Sequence, residues 1–150
     1  MQKQLSTHID FFELKTPADL FSKLEGDLAA LEKSGQDARI AFNFFVTAEH
    51  LPDWIGQRIL VKANCILRIV SHIANGAKHF HLDEKRHNSV TGTEKYRVVE
   101  EGYAEPGYFY EPLLIQLSPN EAKELGLSEI DAVNLGHKVL EFWRPYVHAS

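Results

Sequence analysis

The chain has 150 residues, of which 44% are hydrophobic and 25% charged, and it carries a formal net charge of −5. That length and mixture suit a single globular domain with a sizeable core, and they exclude a disordered, collagen-like or disulfide-stapled chain. The lone cysteine, Cys65, leaves no partner for an intrachain disulfide, which fits a reducing compartment, and the cytoplasm is the expected location. The opening stretch MQKQLSTHIDFFELK lacks the apolar core of a signal peptide. No apolar run approaches the roughly 18 residues of a membrane span, so no membrane partner is expected.

The charge is unevenly placed. Residues 56 to 97 hold eight Lys and Arg against three acids, a net +5, which leaves −10 for the remainder. Such asymmetry points to a basic patch on an acidic body, the footprint of an anionic ligand. The competing reading is that clustering along the chain is dissolved by folding.

In chain order, a first helix is expected from TPAD, with Thr16 as N-cap, Pro17 in the first turn and Asp19 reaching back in a capping box. Leu20, Leu24, Leu28 and Leu31 form its apolar stripe and Gly35 ends it. A second helix starts near Asp37 and ends at Gly56. It is apolar on so many sides that a central position follows. Pro52 is expected to kink or interrupt it. Asn43, Thr47 and His50 on this helix need hydrogen-bond partners, with His50 expected as a satisfied core or groove histidine.

A third helix is expected over about 59 to 80, with Ala63, Ile66, Leu67, Ile69, Val70, Ile73, Ala74, Ala77 and Phe80 on its core face. Residues 81 to 93 read as a charged loop. The stretch EKYRVVEEGYAEPGYFYEPLLIQL, rich in aromatic and β-branched residues, reads as a hairpin or three short strands turning at EPG. Ser118 with Glu121 has capping-box spacing for a further helical turn, and Ser128 is expected to cap the last helix. The fold class is therefore mainly α. We expect one domain over 1–150, a bundle of about four long helices with a small β-hairpin insertion at about 94–117 before the last helix.

The stretch LRIVSHIANGAKHFHLDEKRH places four of the eight histidines within 21 residues. On a helical wheel Arg68, His72, Asn75 and His79 fall between about 180° and 240° from Ile66, one polar line opposite the apolar sector. The plain reading is a solvated helix back. Such a face usually carries Glu, Lys and Gln, and His and Asn are weaker helix formers, which favours a use for the line. An imidazole exchanges protons near neutral pH, a guanidinium holds phosphate with forked donors, and an amide orients either. Arg68, His72, Asn75 and His79 are thus candidate catalytic residues for cleaving RNA without a metal or other cofactor, with His72 or His79 as acid or base. Lys78, Lys85 and Arg86 are candidate nucleic-acid contacts. RNA and a second copy of the chain are the expected partners.

His79, His81, Asp83 and His87 have ligand types for a transition metal, but residues two apart on a helix diverge by about 200°, so a shared ion needs the helix to end near Phe80. No metal site is expected there. Cys65 reads as a packing residue. The run Tyr103, Tyr108, Phe109 and Tyr110 could stack bases or cover the bundle end.

The combination TAEHLPDW, IANGAKHF, an aromatic hairpin and VLEFWRPYV, from about 38 to 147, resembles an uncharacterised group of bacterial and prophage-associated proteins. More distantly, the bundle with its Arg/His helix resembles the HEPN superfamily, which implies a dimeric, RNA-cleaving or nucleic-acid-binding protein of phage-defence or toxin type. That family's motif separates arginine from histidine by four to six residues and puts a polar residue after the arginine. Here Arg68 and His72 are separated by three, Arg68 and His79 by ten, and Ile69 follows the arginine. The alternatives from other classes are a non-enzymatic dimeric interaction protein and a His-rich metal-binding module.

Overall fold

A computed structural model describes residues 12–78, 90–95 and 113–148, with 77–78 and 90–95 described as backbone. Its elements run α1 (Pro17–Lys33), α2 (Ala38–Ile55), α3 (Leu60–Ala63), α4 (Cys65–Lys78), β1 (Val90–Lys95), β2 (Leu113–Leu117), α5 (Pro119–Leu125), β3 (Glu129–Asp131) and α6 (Ala132–His148). The protein is mainly helical with a small antiparallel sheet. No helix among the described residues is long and apolar enough to cross a membrane.

The first two helices begin where their capping residues put them. Thr16 accepts from the Asp19 amide at 3.1 Å while the Asp19 carboxylate accepts from the Thr16 amide at 3.0 Å, closing the capping box. Backbone donors at Lys15 and Thr16 hold the Asp19 carboxyl below its usual range. Asp37 caps α2 through the Arg39 amide, and Gly56 ends it in the left-handed conformation, φ 77°. Pro52 does not interrupt α2: the helix continues to Ile55, with Pro52 buried in its last turns.

The described chain holds six helices rather than about four. One added boundary is a break in the expected third helix at Asn64, which is extended (φ −117°, ψ 124°). Its side-chain oxygen accepts from the Leu67 amide at 3.3 Å, so Asn64 restarts the helix as a cap. Ala63, expected on the core face, is exposed because the break resets the helical phase. Leu67, Ile69, Val70 and Ala74 are buried as expected.

The sheet order is β1-β2-β3. β1 pairs antiparallel with β2 from Val90↔Leu117 to Lys95↔Leu113, with an irregularity between Val90 and Gly92. Residues 90–93, expected as loop, are therefore strand, in keeping with their β-branched Val90, Thr91 and Thr93. The EPG turn lies outside the described residues. β3 joins β2 through Ile115↔Ile130, and both isoleucines are buried. Ser128 consequently does not cap the last helix. Pairing with β2 holds Glu129–Asp131 extended, and Asp131 caps α6 instead, accepting from the Asn134 amide at 2.8 Å.

The core lies among α1, α2, α4 and α6 and one face of the sheet. Leu24, Leu31, Phe44, Leu51, Ile69, Leu135, Val139 and Trp143 are fully buried, so α2 is central as its apolar breadth requires. Among the described residues, the Trp143 indole N–H has no hydrogen-bond partner. Its ring is placed by packing, edge-on to Phe142 at 4.9 Å between centroids. Helices α1 and α6 approach closely at Gly136, where a Cβ would stand 2.6 Å from Leu28 Cδ1 and 3.3 Å from Phe44 Cε1.

Two glycines in helices should therefore respond in opposite directions. Gly136→Val should lower stability by roughly 2–3 kcal/mol through overpacking. Gly26→Ala, with nothing within 4 Å of the added carbon, should raise it by about 0.5–1 kcal/mol. Chemical denaturation of the two variants checks both signs.

Candidate functional site

Arg68, Ser71 and Asn75 of α4 take part in two networks. The first joins the start of α4 to α5. Glu121 is the buried residue of α5, 5% exposed, and a carboxylate so placed needs a charged, hydrogen-bonded partner. Arg68 supplies it: Nε donates to Glu121 Oε1 at 3.0 Å and Nη2 to Glu121 Oε2 at 3.1 Å, a forked contact. Nη2 also reaches Glu124 Oε2 at 2.5 Å, and Nη1 donates to the Lys62 carbonyl at 2.7 Å. The guanidinium thus ties α5 to α4 and closes the end of α3. Its proton is held more firmly than usual, first by the hydrogen bond to Glu121.

Cys65, one turn before Arg68, is buried and donates its thiol to Glu121 Oε2. Burial first, and then Glu121, push this thiol up from 9.0 to about 12. At neutral pH it is a protonated donor, and only the thiolate is nucleophilic. The Glu121 commitment also removes the expected capping box. Ser118 starts α5 without a side-chain cap bond, and the carboxylate that would form the other half of the box is turned toward α4.

The second network joins α4 to the end of α2. Arg58 donates from Nε to Asp53 Oδ1 at 2.9 Å, from Nη2 to Asp53 Oδ2 and the Glu49 carbonyl, both at 2.6 Å, and from Nη1 to the Glu49 carboxylate. The Ser71 hydroxyl donates to Glu49 Oε1 at 3.1 Å, and the Asn75 amide donates to the Ser71 carbonyl at 2.7 Å. Hydrogen bonding to Arg58 holds the Asp53 carboxyl below its usual range.

Of the residues expected to form a catalytic line, Arg68, His72 and Asn75 share α4, and all three are half-buried rather than on an open solvent face. His72 has an interaction of its own. Arg68 and Asn75 are engaged in different networks, one toward α5 and one toward α2. Lys78 closes α4; its side chain and residues His79, Lys85 and Arg86 lie outside the described residues, as do His81, Asp83, His87 and the aromatic run 103–110. His50, expected in the core or a groove, is exposed, because α2 turns Thr47 and Leu51 inward beside it. Buried Thr47 accepts from Lys23 Nζ at 3.1 Å, and Asn43 accepts from the same ammonium at 3.4 Å.

Sequence reasoning missed Glu49, Arg58, Glu121 and Glu124 as partners. The spacing of three in both Cys65/Arg68 and Glu121/Glu124 marks two matching helix faces, but nothing local says that they meet. Cys65, Glu121 and Glu124 place one thiol and two carboxylates within 4.8 Å of one another. As they stand they are poor metal ligands: the guanidinium occupies both carboxylates, and binding would require the thiol proton to leave.

Comparison with protein-family models, with curated proteins and with solved structures gives no match.

Arg68→Met should cost roughly 3–5 kcal/mol, since Glu121 then stays buried without its counter-charge, and Arg68→Met with Glu121→Leu should recover most of the loss. A double-mutant cycle by urea unfolding checks the coupling. In the second network, Arg58→Ala should cost about 1–2 kcal/mol through the largely buried Glu49, while Asp53→Asn should cost less than about 0.5 kcal/mol because that carboxylate is 58% exposed.

The thiol gives a pH signature. Its folded pKa is raised, so its stabilisation is complete below the unfolded value of 9.0 and is lost as pH climbs toward about 12. Stability measured across that window should fall more steeply in the native chain than in Cys65→Ala.

Proposed function

We propose that this protein is a non-enzymatic interaction protein that self-associates, rather than a metal-independent endoribonuclease. The observation that carries this reading is the state of Arg68. Each of its three guanidinium nitrogens donates within the chain, to Glu121, Glu124 and the Lys62 carbonyl, so a phosphate would have to displace a carboxylate from a largely buried pair. The thiol beside it is protonated, and Asn75 returns its amide to its own helix.

The charge pattern supports the same choice. Of the bases in residues 56 to 97, Arg58 and Arg68 are each paired with two acids from outside that segment, Glu49 with Asp53 and Glu121 with Glu124. The local excess of positive charge is reduced by these four acids, of which Glu121 and Glu124 are brought there by folding. A nucleic-acid-binding role would rest on Lys62, Lys78, Lys85, Arg86, Lys95 and Arg97.

A second copy is the proposed partner, since closed homodimers are the commonest soluble assembly. The surface for it is the stretch from the last turn of α2 to the start of α3, where Trp54 is 38% and Ile59 80% exposed. Exposed aromatic and aliphatic side chains have the composition of an interface anchor. The distant likeness to HEPN bundles agrees with dimerisation, and the cytoplasm is proposed from the single unpaired thiol.

Sedimentation equilibrium should show self-association, weakened about tenfold or more by Ile59→Asp with the helical circular dichroism unchanged. RNA incubated with the protein in excess chelator should stay intact. Cleavage that disappears in His72→Ala would overturn the proposal. A chain that stays monomeric yet binds RNA with a steep salt dependence would favour nucleic-acid binding instead.

A further inference from the structure

We draw no further inference here: the strongest candidate, the Cys65–Glu121–Glu124 cluster between α4 and α5, has both of its carboxylates engaged by Arg68 and its thiol by Glu121, and no second observation points to a ligand there.

Discussion

A carboxylate buried on a helix of seven residues is the constraint around which one end of this molecule is arranged. Isolated, such a helix is too short to hold its own hydrogen-bonded turns against chain entropy. Its seat on α4 has to supply the difference. The seat has a polar centre, since Glu121 is the residue that α5 buries, while Ala122 and Leu125 are only partly covered. Removing a carboxylate from water is costly unless a counter-charge and further donors meet it, and Arg68 and Cys65 do so. Because α5 links β2 to β3, the same contact helps to locate the sheet against the bundle.

Arg58 repeats the device at the end of α2. There too a guanidinium takes two acids and a backbone carbonyl, the carbonyl being that of Glu49. In each case one planar group with several fixed donors serves two carboxylates and a backbone carbonyl at once, which a lysine ammonium could not match in geometry. The price is specificity of another kind, because guanidiniums fastened in this way no longer present their charge to an outside ligand.

The local signals in the sequence were legible wherever a neighbouring residue decides the outcome. Thr16 with Asp19, Asp37 and Gly56 mark helix ends that the backbone respects, since a cap is satisfied within one turn. The signals failed where a distant strand or helix competes. Ser128 is a sound cap by residue type, yet pairing of Ile130 with Ile115 draws the chain into a strand and passes the cap to Asp131. Ser118 and Glu121 have the spacing of a capping box, yet a guanidinium 53 residues away binds the carboxylate more strongly than a backbone amide would. The break at Asn64 was readable in principle, since asparagine is a good N-cap and a weak helix former. Ala63 falls in the same wheel sector as the apolar residues after Asn64, and that apparent continuity concealed the cap.

The same competition accounts for the residues that looked most like a site. A helix face carrying Arg, His and Asn instead of Glu and Lys is unusual for solvent exposure, and that signal does not by itself point to catalysis. What it detects is a face with polar neighbours, and two other causes than catalysis produce one. α2 reaches α4 from one side through Glu49 and Ser71, and α5 reaches it from the other through Glu121 and Arg68. Short polar side chains fit between packed helices where a glutamate or lysine would not, and a buried hydroxyl or amide is tolerated when its bonds are met. Asn75 bonding back to the Ser71 carbonyl, while Ser71 turns its hydroxyl to Glu49, is such an arrangement. Of the expected line, Arg68 joins α4 to α5 and α3, while Asn75 braces Ser71 within α4 itself.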